Sequence, residues 1–297
     1  MSAIDVTYFC DPGSPWGYAA SPQLALLRYR YGDQLRFRLV LVGLWETSEE
    51  RAAIGYQPVG TAQGSRLFRR FGMPFSTAPR PRVLGSGRAC RAVVAARLRQ
   101  PGREHDALRA LQFAYFTTPL MVDTDDGIAA ALGSDPRLAV DAIVGALDDH
   151  EVEAAYAANR AEARTAAGSP SEFIGSAVPD AGGEAIRYTP PTLVFEQGSN
   201  RIEVGGYQPL ESYEVAIAHI DRSLERRWNA GDPIDALERV GYPLTTYEVA
   251  TCMAEPRLPP DPGPVEDALV ALAAEGRVTR TERGADAVWG LRSAPSP

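Results

Sequence analysis

Residues Asp11-Pro12-Gly13-Ser14-Pro15-Trp16-Gly17-Tyr18 place a hydroxyl between a strand and a helix. The run before them, Ile4 to Cys10, alternates in polarity at first, and the run after them carries Leu24, Leu27 and Tyr31 on one helical face. Serine is favoured as an N-cap and proline at the first helical position. Ser14 is therefore expected at a helix start, beside N–H groups that lack partners. Such a place stabilises an anion, whether phosphate, carboxylate or thiolate. The plainer alternative is a serine that caps its helix and does nothing else. No histidine stands near it in sequence to serve as a base, which argues against a hydrolase nucleophile.

The other reactive side chains form no convincing set. Cys10, Cys90 and Cys252 are far apart and make no C-x-x-C pair, so a disulfide framework or a zinc site is not expected. Cys10 is either a displaced redox thiol or, more commonly for a lone cysteine, a small buried hydrophobe. His105, His150 and His219 are isolated and have no metal-ligand spacing, so no metal is expected. The chain has no lysine, which excludes Schiff-base chemistry and a phosphate-loop lysine. Gly85-Ser86-Gly87 follows no strand and lacks the later glycine of a dinucleotide fingerprint. Trp16 and Tyr18 either line a pocket or pack in the core.

The elements that must position Ser14 are a strand over 3–10, a helix over 15–31 kinked by Gly17 and Pro22, and a second strand over 35–42. Strand, helix and parallel strand make a right-handed crossover. Gly43 to Gly60 reads as a loop with a helical piece around Glu46–Ala53, and Ser65–Phe71 as a short helix. Ser86–Gln100, Glu104–Thr117, Asp123–Leu132, Asp135–Leu147 and Glu151–Ala167 follow as helices; Asp135-Pro136 supplies a cap and a first position. Ser169 to Tyr188 is expected to be a long loop. Thr192–Phe195 and Ile202–Gly205 form a hairpin, and Leu210–Arg227 a closing helix.

The turn resembles the opening of the DsbA-like branch of thioredoxin folds, where the strand is followed by Asp-Pro-x-Cys-Pro-Trp-Cys. Here Ser14 and Gly17 stand at the two cysteine positions. Serine at the first of them is also the pattern of kappa-class glutathione transferases and 2-hydroxychromene-2-carboxylate isomerases. Thr189-Pro190-Pro191-Thr192 looks like the cis-proline strand of the same fold, and the resemblance spans about residues 3–228. It implies an α/β thioredoxin-like fold, residues 1–62 and 184–228, with a helical insertion at 63–183. It also implies that Ser14 hydrogen-bonds the sulfur of a bound low-molecular-weight thiol. Pro15, Trp16, Pro190, Pro191, Gly206 and Gln208 would hold that cofactor, glutathione or mycothiol. Pro190 has no N–H to offer a ligand. Gly205-Gly206-Tyr207-Gln208 lacks the acidic residue of glutathione-using relatives, which keeps mycothiol open.

Apolar residues make up 45% of the 297-residue chain, enough for a sizeable core. A net charge of −8 argues against nucleic-acid or membrane-surface binding. No signal peptide or membrane-spanning run is visible, so a cytoplasmic location is expected. Residues 229–297 read as three helices and a β-hairpin, a winged-helix-like layout. Acids outnumber arginines there, and the helix at Pro264–Leu269 carries acids where a DNA reader needs arginine. Packing, or a homodimer through this module, is expected instead. Two function classes stand: a thiol-dependent transferase or isomerase acting on a small molecule, and a redox-inactive thioredoxin-like binding or assembly protein. Dithiol–disulfide exchange is disfavoured, because it needs two sulfurs and Ser14 and Gly17 supply none.

Overall fold

The computed structural model describes residues 3–180 and 183–292. β1 (Ile4–Cys10) leads into α1 (Pro15–Ala19) and α2 (Ser21–Tyr31), and β2 (Leu35–Leu41) returns parallel to β1. The helical block holds α3 (Ser48–Ala53), α4 (Pro58–Phe68), α5 (Gly87–Arg99), α6 (Glu104–Thr117), α7 (Asp125–Leu132), α8 (Val140–Val144) and α9 (His150–Ala163). α10 (Pro170–Phe173), β3 (Ala177–Pro179), β4 (Ile186–Tyr188), β5 (Thr192–Gln197), β6 (Asn200–Gly205) and α11 (Leu210–Ile220) follow. The last part is α12 (Pro233–Val240), β7 (Leu244–Thr245), α13 (Thr246–Met253), α14 (Pro262–Ala274), β8 (Val278–Arg283) and β9 (Asp286–Leu291).

The central sheet has the order β2-β1-β5-β6, with β5 antiparallel to both of its neighbours. Side chains alternate across it, as a two-residue repeat requires. Val6, Tyr8, Leu39, Leu41, Leu193 and Phe195 enter the main core under the helices. Phe9, Val40, Val42 and Val194 enter a smaller core with Ala163 and Tyr188 on the other face. Burial on both faces explains why β2 becomes apolar throughout at its end. This is a thioredoxin-like sheet with a helical insertion and a small C-terminal unit.

Local chemistry explains where the elements depart from the sequence reading. The helix expected over 15–31 breaks at Ala20, leaving a five-residue α1. α4 is a full helix from Pro58, where a loop was expected; proline at its first position suits a helix start. Only Val140–Val144 is helical within 135–147, because the Asp135 carboxylate closes a turn on the N–H and guanidinium of Arg137. The closing helix stops at Ile220, since Asp221 takes the N–H and hydroxyl of Ser223 instead. The loop expected over 169–188 contains α10 and the β3–β4 hairpin, whose Ala177 pairs with Tyr188.

The C-terminal unit shows the expected helices and hairpin, with β7 added to give the sheet order β7-β9-β8. Thr245 and Glu248 form a capping box that starts α13. Its apolar side is spent inside the chain: Leu237, Leu244, Val249 and Trp289 share a core with Ala25, Leu26 and Tyr29 of α2. Arg109 of α6 meets Glu248 in a two-pronged ion pair at 2.7 and 2.8 Å, and also donates to the Pro243 carbonyl. Gly72, in a left-handed conformation, lies under Tyr247 of α13; a Cβ there would stand 2.1 Å from the ring. The approach of the two units thus requires glycine at this position.

Candidate active-site cavity

The β1–α1 turn is built around Asp11, whose carboxylate is fully buried. It accepts from the N–H groups of Gly13 and Leu44, both at 2.8 Å, the Ser86 hydroxyl at 3.0 Å and the Cys90 thiol at 3.6 Å. Burial raises its pKa, and these donors offset only part of that effect. The carboxylate ties the turn to the loop after β2 and to the start of α5. Nothing in the spacing of the turn assigns Asp11 this part.

Ser14 caps α1: its Oγ accepts from the Gly17 N–H at 3.1 Å and donates to the Pro190 carbonyl at 3.1 Å. The Pro190–Pro191 peptide is cis. Pro190 has no N–H, so its carbonyl is its one polar backbone group, and Ser14 takes it. Gly17 sits directly behind the hydroxyl. A Cβ built there would lie 3.4 Å from both Cβ and Oγ of Ser14.

A cavity of about 780 Å³ opens against this turn. Ser14, Pro15, Trp16, Thr189 and Pro190 line it at one end, and α3, α4 and the loop after α4 form its walls. Trp16 is 41% exposed and leans on Phe68, Phe71 and Tyr207 at the rim. Tyr18 is buried among Phe75, Phe113 and Phe116, so its part is packing. Pro191, Gly206 and Gln208 are not among the residues that line it. Gln208 turns its amide back onto the Gly205 carbonyl, and the Gly206 N–H points to the Thr192 hydroxyl.

The residues missed by sequence reasoning are arginines. Arg51, Arg80, Arg82 and Arg187 line the cavity, while no described residue that lines it is acidic. Arg82 pairs with Asp123, and Arg187 shares Asp180 with Arg164. Burial lowers the pKa of Arg80 despite Tyr115, and the charge of Arg51 adds to the effect. Arginine is the only long cation in this chain, and nothing in the spacing of these four marks them as neighbours.

All three cysteines are free and buried. Burial pushes the thiols of Cys10, Cys90 and Cys252 well up, so none of them is a ready thiolate. His105 lies against Tyr242 with the rings tilted at 45°, and burial depresses its pKa. Among the described residues no cluster of three or more His, Cys, Asp or Glu could hold a metal ion. No described helix is long and apolar enough to cross a membrane.

No protein-family model matches the sequence, and no curated protein matches it. Solved structures do resemble it. A protein from Nitrosomonas europaea, proposed to be a protein disulfide isomerase, superimposes with a TM-score of 0.55 and 20% identity, over 73% of this chain and 97% of the other. The cytosolic disulfide reductase DsbM from Pseudomonas aeruginosa, solved with GSH, gives 0.47 and 19% over 73% and 100%. A 2-hydroxychromene-2-carboxylate isomerase gives 0.42 and 14% over 72% and 95%. At such identities the first of these likenesses establishes the thioredoxin-type fold with its helical insertion, and no more.

Proposed function

We propose that this chain is an enzyme that uses a low-molecular-weight thiol, glutathione or mycothiol, to transfer a group to a small molecule or to isomerise one. The observation that carries the proposal is the open cavity at Ser14. Its volume of about 780 Å³ falls within the size range of small-molecule sites. A domain that had lost its chemistry could have filled that space with Trp16 or with residues 169–188. Trp16 stays at the rim instead, Ser171 and Tyr188 bond to Glu203 of β6, and of the segment's described residues only Arg187 lines the cavity.

The residues at the end of the cavity suit a thiol. The Ser14 hydroxyl and the Pro190 carbonyl present one polar pair beside Pro15 and Trp16. Bound there, the thiol would supply a nucleophilic sulfur. The Ser14 hydroxyl would turn from the Pro190 carbonyl toward that sulfur. It would give up a neutral hydrogen bond worth about 1 kcal/mol for one to an anion, which is stronger. The arginines on the wall favour the thiolate over the thiol. The chain's own sulfurs take no part, since all three are buried.

One observation favours a second reading, a redox-inactive binding protein: the hydroxyl hydrogen of Ser14 is already committed to Pro190. Calorimetric titration with glutathione and with mycothiol, on wild type and Ser14→Ala, separates the two. The enzyme reading expects one thiol to bind and the serine variant to bind it about tenfold more weakly, the loss of one charge-assisted hydrogen bond. Absence of binding by both thiols to folded protein would leave the second reading in place.

A further inference from the structure

We infer that α4 is a lid over the cavity, hinged at Gly55 and turning about Gly72, and that the C-terminal unit fixes this pivot through Tyr247. The inference takes from the reading above only that the cavity is the working site, and it holds whatever the cavity binds. From Gly55 to Gly72 the chain supplies much of the cavity wall and little of the core. Tyr56, Pro58, Thr61, Ser65 and Phe68 line the cavity, yet Ala62 is the one buried residue between the two glycines. Val59 and Leu67 are 57 and 65% exposed. An element with so few buried apolar contacts opens at low cost.

The inner side of α4 faces open space. Gly60 and Gly64 line the cavity, and a Cβ built on either would meet no atom within 4 Å. Val83, Leu84 and Phe116 line the same cavity. An inward swing of α4 would therefore exchange open space for apolar contact, as lids do when they close.

The two ends of the segment are held differently. Gly55, at a φ of +95°, has no atom within 4 Å of a Cβ built on it. That end rests on the Tyr56 ring, 5.3 Å from the ring of Trp45 and 4.9 Å from the Arg51 guanidinium. At the other end Phe68 stacks on Phe75 at 5.5 Å, and Phe71 lies 4.7 Å from Tyr207. Gly72, at a φ of +87°, follows under the Tyr247 ring. The Thr245 hydroxyl donates to the sulfur of buried Met73 at 3.7 Å. The capping box of α13 and the Arg109–Glu248 pair fix the helix start that makes both contacts. A bare glycine is free to change its dihedrals, whereas one packed under a ring is not. Phe68 and Phe71 also lean on Trp16, so a movement about Gly72 reaches the Ser14 turn.

The test is native-state hydrogen exchange of the full chain, with the amides of α4 read against those of α5, in wild type, Tyr247→Ala and Tyr247→Phe. Tyr247 lies outside the core of its unit, so that core keeps its packing in both variants. Wild-type α4 should exchange at least about a hundredfold faster than α5, as a locally opening element does. Tyr247→Ala should raise the α4 rate about tenfold further, the scale of one lost side-chain contact, and leave α5 unchanged. Tyr247→Phe keeps the ring and should keep the wild-type rates. Protection of α4 equal to that of α5 overturns the lid, and that comparison needs no variant to fold. An α4 rate untouched by Tyr247→Ala, or raised together with that of α5, overturns the pivot. No thiol enters the measurement, so its failure leaves the thiol reading standing, and failure of both thiols to bind leaves the lid standing.

Discussion

Arg109 and Arg51 are the same residue in nearly the same packing, and they end differently. Arg109 lies at the joint between the helical block and the C-terminal unit, 4.6 Å from the ring of Tyr242 and 5.1 Å from that of Phe113. Arg51 lies in the cavity wall between two rings at similar distances. The joint supplies Glu248, whose own carboxylate also accepts from the Thr245 N–H. Burial works against the Arg109 charge, Glu248 outweighs it, and the pKa of the guanidinium rises. The cavity supplies two oxygens and no charge. A charge completed within the chain is architecture, whereas one left incomplete beside a cavity is a binding surface.

The largest effect expected from this difference is on stability. Arg109→Met strands Glu248, a fully buried carboxylate, and should cost about 3–5 kcal/mol in urea unfolding. Arg51→Met strands no charge; it loses two hydrogen bonds from the guanidinium to neutral oxygens but also removes an unpaired buried cation, so its cost should stay within about 2 kcal/mol. Equal losses in the two variants would abolish the distinction and make Arg51 an architectural residue.

A smaller effect probes the turn between these regions. The Cβ position at Gly17 stands 3.4 Å from Ser14 Cβ, next to the range of about 3.5–4.5 Å found in disulfides. The double variant Ser14→Cys/Gly17→Cys should therefore close a disulfide. Chain-entropy arguments put its stabilisation at about 2 kcal/mol for so short a loop. The cavity arginines should keep the attacking sulfur ionised, so the variant should reduce insulin disulfides while wild type does not. An oxidised variant no more stable than its reduced form would show that the turn has lost the geometry along with the sulfurs.

Whereas the cis peptide at Pro191 was implied by the resemblance to a family, the sheet and the crossover at Ser14 were legible in the sequence because each rests on a local signal, alternation and a Ser-Pro helix start. The C-terminal unit was legible in layout for the same reason. What escaped depends on groups distant in the chain. Arg51 and Arg80 meet at Tyr115, and Arg109 meets Glu248, through packing that no spacing announces. Asp135-Pro136 had the right types for a cap, yet Arg137 took the carboxylate. Gly206 and Gln208 came from a family position, and in this chain their polar groups bond to Thr192 and Gly205.

The smallest effect is a slope with pH, and it bears on the carboxylate that holds the turn beside the cavity. Asp11 is the converse of Arg51: a buried acid with four donors and no paired cation. Burial raises its pKa in the folded protein. Below the ordinary carboxyl value of about 3.9 it is protonated whether the chain is folded or not. As pH rises, the unfolded chain ionises first, and the folded state loses ground until the raised pKa is passed. The stability Asp11 contributes is thus complete below about pH 3.9 and is lost upward. Carboxylates with lowered pKa, such as Glu203 and Asp135, run the opposite way, but Asp11→Asn shares them and they cancel in the difference. Urea unfolding of both proteins from pH 4 to 7 should show the advantage of wild type over Asp11→Asn shrinking as pH rises. An advantage that grows would mean that the Asp11 pKa is lowered instead. The four donors would then outweigh burial, and an ionised carboxylate would hold the turn.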